Sequence, residues 1–163
     1  MEGAVSEDWV IEMAGLLVKA GADSIGLSDT TGYANPNQIK RMFRRLRSEI
    51  GVEKMASAHL HNTRGQGLAN VLAALEVDVA TFDSSLGGLG GCPFAPGATG
   101  NIVTEDLVFM LEAMGLHTGI DLDALIATRE VLLSGLPGEV IYGNVPEAGL
   151  PKGFTYANGR NVT

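Results

Sequence analysis

The sequence predicts an α/β chain built from successive βα units with parallel strands. Strand patterns recur near residues 24, 57, 80 and 101, and a helical pattern follows each one. A strand, a crossover helix and a second strand imply a parallel pair with a right-handed connection. Glycine supplies a third observation. It makes up 22 of 163 residues, about twice its ordinary share, and its clusters mark the loops between the units.

The elements follow in order. Ser6 suits an N-cap, with Glu7 and Asp8 near the positive end of a helix dipole. Trp9, Val10, Met13, Leu16 and Leu17 then recur at helical spacing, and Gly21 suits the C-terminal cap. A short strand covers residues 23–28, with Ile25 and Leu27 on one face and Ser24, Gly26 and Ser28 on the other. Asn35-Pro36 opens the next helix, with Pro at its first position. Its apolar stripe is Ile39, Met42, Phe43 and Leu46, and Arg41, Arg44, Arg45 and Arg47 around it read as a solvated face. A second strand spans 55–61 and a helix runs from about 66 to 75; a third strand spans 79–83 and leads into a glycine-rich loop over 87–100. A last short strand near Asn101 leads into a helix capped by Thr104. Glu105 and Asp106 fall in its first turn, and Leu107, Val108, Met110, Leu111 and Met114 form its buried stripe. A final helix runs from about 121 to 133, and the tail from Gly135, rich in Gly, Pro and Asn, reads as an irregular arm.

Four βα units are half of a closed (β/α)8 barrel, which takes eight units and roughly 250 residues. An open four-strand sheet is the alternative, but no phosphate loop or dinucleotide fingerprint is present. The first helix begins almost at Met1 with no strand before it. The expected fold is therefore the second half of a barrel over residues 1–134, with a C-terminal arm over 135–163.

Composition narrows the function. With 19 acidic and 11 basic side chains the net charge is −8, which argues against a nucleic-acid partner. A 45% apolar content argues against a disordered chain. No apolar stretch reaches the roughly 18 residues of a membrane span, so no membrane partner is expected. Met1-Glu2-Gly3 carries no basic or apolar leader, which gives a cytoplasmic expectation. The single cysteine excludes an internal disulfide and suits a reducing compartment.

Three segments could carry chemistry. His59-Leu60-His61 ends a strand, so alternation points both imidazoles the same way, about 7 Å apart at the backbone. Two such rings suit a divalent cation, and barrel sites are built at the C-terminal strand ends. The competing reading is a pair of inert histidines in a polar loop. Next comes Gly87-Gly88-Leu89-Gly90-Gly91-Cys92, where a thiol on a glycine-rich loop could transfer a proton; an incidental cysteine on a flexible loop is the alternative. Asn101, again at a strand end, can offer a carbonyl oxygen to a hard cation or cap the following turn. Asp29 ends the first strand and could bond a metal-bound histidine or a substrate group, or make a simple turn. His117 follows a helix end and reads as structural.

Taken together, these words in this order resemble hydroxymethylglutaryl-CoA lyases. The resemblance rests on Leu27-Ser28-Asp29-Thr30-Thr31-Gly32, His59-Leu60-His61-Asn62-Thr63-Arg64-Gly65-Gln66, Gly88-Leu89-Gly90-Gly91-Cys92-Pro93-Phe94 and Gly100-Asn101-Ile102-Val103-Thr104-Glu105-Asp106. It covers residues 2–118, and the glycine–cysteine loop is its most specific part. It implies a TIM barrel holding one Mg²⁺ or Mn²⁺, with His59, His61 and Asn101 as ligands. It implies an acyl-CoA substrate, cleaved to acetyl-CoA and acetoacetate, with Cys92, His59 and Asp29 as catalytic residues. It also implies an acidic ligand on a first strand, which no segment here matches; the N-terminal half of the barrel is thus an expected partner. Barrels of this kind commonly form homo-oligomers. Asn62 stands where such lyases have Asp, and an Asn there resembles the related synthases. A lyase or synthase for another acyl group is the second reading, and a non-catalytic half-barrel the third.

Overall fold

The computed structural model describes residues 5–91 and 100–161. They form two compact units, one of residues 5–83 with 91 and one of residues 84–90 with 100–161.

The first unit is a parallel sheet with helices against it. Helix α1 (Glu7–Lys19) leads to β1 (Ile25–Asp29), α2 (Pro36–Ile50), β2 (Met55–Leu60), α3 (Gly67–Leu75) and β3 (Phe82–Asp83), and the sheet order is β1-β2-β3. The expected caps of α1 and α2 are present: Ser6 Oγ accepts from the Trp9 amide at 3.4 Å and Asn35 Oδ1 from Gln38 at 3.1 Å. Both satisfy an orphan donor of the first turn. The expected stripe of α2 is buried as Ile39, Met42, Phe43 and Leu46, joined by Ile50. The stripe of α1 is not the face it buries. Trp9, Leu16 and Leu17 stay exposed, while Ile11, Ala14 and Gly15 are covered. Small residues let α2 come close, since a Cβ on Gly15 would lie 2.5 Å from Glu49 Oε1. The arginines of α2 are more than a solvated face. Arg41 reaches Glu7 at 2.6 Å, Arg45 reaches Asp8, and Arg47 reaches Asp78 at 2.8 Å and the Val77 carbonyl. Such surface pairs contribute little to stability, because water and salt screen them.

Strand β3 is shorter than expected. The residues after α3 turn back on it, with Val77 and Val79 amides both donating to the Ala74 carbonyl, so the chain joins the sheet only at Phe82. Register sets two rows. Leu27, Ala58 and Phe82 align across the strands, and Ser28, His59 and Asp83 align one residue later.

The second unit holds α4 (Thr104–Ala113), α5 (Leu122–Gly135) and α6 (Asn144–Ala148). Two expectations need correction here. The short strand at Asn101 is only an isolated parallel bridge between Ser85 and Val103. Thr104 does not cap α4: Val103 is the cap residue, and the Thr104 hydroxyl pairs with Ser84 Oγ at 2.9 Å, because its amide is drawn to the Ser85 carbonyl. The tail is irregular apart from α6, and it returns Tyr156 to a core of Val108 and Leu122, flanked by Phe109, Leu125, Leu150 and Phe154.

The stripe expected on α4 is also partly wrong. Met114 is exposed, and Glu105, Asp106 and Glu112 are buried in its place. Each carboxylate is buried because it accepts backbone N–H groups. Glu105 takes Gly87, Asp106 takes Asn144 and Val145 at the start of α6, and Glu112 takes Thr118 and Ala157.

Candidate functional site

The C-terminal end of β2 delivers two histidines. His59 is its fifth residue and His61 follows its last, so alternation turns both rings to one side. Their Nε2 atoms stand 3.2 Å apart, with ring planes crossing at 63°. His61 is 4% exposed, and its Nδ1 has no partner among the described residues. Burial pushes its pKa down, the neighbouring His59 adds to this, and the Asp29 carboxylate opposes it. The ring is thus held neutral, the form in which imidazole can lend a lone pair. His59 is more open, and its Nδ1 lies 3.5 Å from Asp83 Oδ2.

The loops after β1 and β2 are tied together around this pair. Asp29 spends both oxygens on its own loop, accepting from Tyr33 at 3.0 Å and Ala34 at 3.1 Å. Of the readings open for it, the turn is the one its hydrogen bonds serve. Arg64 donates to the Thr31 carbonyl at 2.8 Å and lies over the Tyr33 ring, 3.9 Å from its centroid. Buried Asn70 donates to the Ala34 carbonyl at 3.0 Å. Asn62 Oδ1 accepts from the Gly67 amide at 2.9 Å and so satisfies an orphan donor of α3. An acceptor is all that task requires, and an amide serves it as well as a carboxylate.

In the second unit, Asn101 donates through Nδ2 to the Leu89 carbonyl at 2.8 Å, and this turns Oδ1 away. That Oδ1 is buried and has no partner among the described residues. The base of the glycine-rich loop is fixed beside it. Both Glu105 oxygens hold the Gly87 amide, at 3.1 and 3.2 Å. Gly87 has φ +58°, and a Cβ there would meet Ile141 Cγ2. Cys92 lies outside the described residues. His117 contacts the Glu112 carboxylate at 3.4 Å, the structural part expected of it.

Sequence reasoning names His59, His61, Asn101 and Asp29; no motif marks the pairing of Asp83 with His59. Only the register of β3 against β2 puts it beside His59. Among the described residues, no three His, Cys, Asp or Glu side chains gather where they could hold an ion. Among the described residues, no helix is long and apolar enough to cross a membrane.

The HMGL-like family model matches residues 1–132. The mitochondrial hydroxymethylglutaryl-CoA lyase of Mus musculus is 44% identical over 135 residues, 83% of this chain and 41% of that protein. The (R)-citramalyl-CoA lyase of Chloroflexus aurantiacus is 47% identical over the same length, 83% of this chain and 42% of its own. Among solved structures, an HMG-CoA lyase from Acinetobacter baumannii, in complex with coenzyme A and 3-methylmalate, superposes with a TM-score of 0.85 at 51% identity; the match covers 91% of this chain and 48% of that one. The chain therefore spans a little under half the length of these relatives. The fold expected from the sequence, part of a (β/α)8 barrel, is borne out.

Proposed function

The chain belongs to the HMGL-like family, and on that premise we propose that it supplies the His-His-Asn side of a divalent-cation site in a carbon–carbon lyase. The substrate is 3-hydroxy-3-methylglutaryl-CoA, and the products are acetyl-CoA and acetoacetate. The observation that carries this reading is the 3.2 Å separation of the two Nε2 atoms. Two nitrogens bonded to one cation at about 2.1 Å stand about 3.0–3.4 Å apart, between octahedral and tetrahedral angles. The buried Oδ1 of Asn101, which has no partner among the described residues, supports it as a third donor. Mg²⁺ or Mn²⁺ suits such nitrogen and oxygen donors, provided that an acidic ligand completes the set. We assign that ligand, and the opposite barrel wall, to the part of such a barrel that these residues do not span.

A cation bound there supplies Lewis acidity to the substrate hydroxyl. The chain's own residues do the rest. His59 and His61 would hold the cation that makes this hydroxyl acidic, and the released proton passes to solvent at the open side of His59. The bond between C2 and C3 breaks, its electron pair passes to the acetyl-CoA enolate, and Cys92 protonates that carbon. Asp29 fixes the 29–34 loop and places a negative charge near His61. We also divide the chain at residue 134, close to where the family match ends, into a barrel part and a C-terminal part.

The 47% identity to the citramalyl-CoA lyase favours a second reading, in which the acyl group differs but the cleavage is the same. Grafting residues 1–134 into the matching stretch of the Acinetobacter baumannii lyase tests both. Cleavage of hydroxymethylglutaryl-CoA that is lost with EDTA and restored by Mn²⁺ is expected. Preference for citramalyl-CoA would reassign the substrate. A folded chimaera inactive on both would overturn the lyase reading.

A further inference from the structure

We propose that Asp83 is a positioning residue that holds the proton of His59 on Nδ1 and so leaves its Nε2 lone pair facing His61. Three observations lead there. Asp83 and His59 are register partners at the C-terminal ends of adjacent parallel strands, so the fold puts their side chains on one face. Asp83 Oδ2 lies 3.5 Å from His59 Nδ1, within reach of a hydrogen bond after a small side-chain rotation. On the far side of the same ring, His59 Nε2 meets His61 Nε2 at 3.2 Å, so one of those nitrogens donates and the other accepts.

Only one arrangement of protons suits both contacts and the buried Nδ1 of His61. Suppose that His59 carried its proton on Nε2. Its Nδ1 lone pair would then face a carboxylate, and His61 would have to carry its proton on Nδ1. That atom is buried without a partner among the described residues, and orphaned buried donors are rarer than orphaned acceptors. With the His59 proton on Nδ1, the carboxylate gains a donor. His61 then donates from Nε2 to His59 Nε2, and the orphan atom of His61 is an acceptor.

A carboxylate behind a metal-bound histidine fixes its tautomer in this way in many sites. The meaning of the arrangement here rests on the cation reading of the histidine pair. On that reading His59 is the ligand set in advance, and His61 must shed its Nε2 proton when the cation arrives. Asp83 touches no reacting atom and acts only through His59.

The test reads the tautomer directly. The barrel grafted with residues 1–134 described above, labelled with ¹⁵N at histidine, is examined by NMR without metal, at a pH about two units above the ordinary imidazole value. His59 should show a protonated Nδ1 and a bare Nε2, and His61 the reverse. Asp83→Ala should return His59 to the mixture of a free imidazole. Asp83→Asn should keep the Nδ1 proton, because its amide oxygen still accepts. A wild-type His59 protonated on Nε2 overturns the proposal, whatever the variants do. So does an Asp83→Ala variant that is folded and unchanged. Titration with Mn²⁺ alone, in the grafted barrel described above, then separates the two claims. Asp83→Ala should weaken Mn²⁺ binding about 10- to 100-fold. A barrel that takes up no Mn²⁺ while His59 keeps its Nδ1 proton overturns the cation reading and leaves the Asp83 assignment standing. An Asp83→Ala barrel with wild-type Mn²⁺ affinity overturns the role of Asp83 in ligation.

Discussion

Glu112 shows how much one residue can hold. Its carboxylate is buried on α4, yet it accepts from the Thr118 amide at 2.6 Å, the Thr118 hydroxyl at 2.7 Å and the Ala157 amide at 2.8 Å. Burial works to raise its pKa, but these hydrogen bonds and the nearby His117 outweigh burial and hold it below the ordinary 4.5. The sign of the pH effect follows. A depressed carboxylate contributes stability that is complete above its unfolded value and is lost as pH falls through the folded one. Glu112→Gln keeps the shape but turns an acceptor into a group that also donates, toward donors that are already there. It should cost on the order of 1–3 kcal/mol at pH 7, the scale of a buried polar group left unpaired. The gap between wild type and variant should narrow as pH falls below the ordinary 4.5 and through the lowered folded value, where Glu112 itself becomes protonated. Urea unfolding at several pH values measures this, and parallel curves for the two proteins would show that Glu112 plays no part in the acid limb.

At the scale of elements, the starts of helices separate what is local from what is not. α5 has a local cap, Asp121 Oδ1 accepting from the Ala124 amide at 3.0 Å, and a distant one, the Tyr156 hydroxyl accepting from the Leu122 amide at 2.9 Å. Tyr156→Phe keeps the ring in its core and removes only the oxygen, stranding a buried donor. A loss of about 1–2 kcal/mol is expected, together with faster hydrogen exchange at the Leu122 amide; wild-type exchange there would mean that water replaces the hydroxyl. The same division explains what could be read from the sequence. Ser6 and Asn35 cap within three residues, and the α2 stripe repeats every turn, so these features were legible. Thr104 has the chemistry of a cap but sits in a bridge to Ser85, and the acids of α4 are buried by partners up to 45 residues away. Such pairings belong to tertiary structure, which no local pattern encodes. The site divides likewise: alternation along one strand paired His59 with His61, whereas pairing Asp83 with His59 required the register between two strands.

At the scale of the whole molecule, the exposed faces bear on how the chain behaves alone. Parallel sheets are ordinarily covered on both faces and have few free edges. In the first unit β1 and β3 are the two edges of a three-stranded sheet, and the row of Ser28, His59 and Asp83 is polar and partly open. Trp9, Leu16 and Leu17 on α1 are also about half exposed, a large apolar area for the surface of so small a unit. The second unit exposes Val131, Val140 and Tyr142 as well. Chemistry points the same way as packing. The ligand set proposed above, two imidazoles and an amide oxygen, gives a hard cation no charge neutralisation, and Mg²⁺ favours carboxylate oxygens. Residues 1–163 expressed alone should therefore associate or aggregate, bind Mg²⁺ weakly and cleave no hydroxymethylglutaryl-CoA. Light scattering gives the mass in solution, and an acetoacetate assay with Mg²⁺ and with Mn²⁺ gives the activity. A monomer that turns over the substrate would show that an acid within this chain completes the site. Asp83 and Asp29 would then be the first candidates, and the carboxylate now placed behind His59 would have to move in front of it.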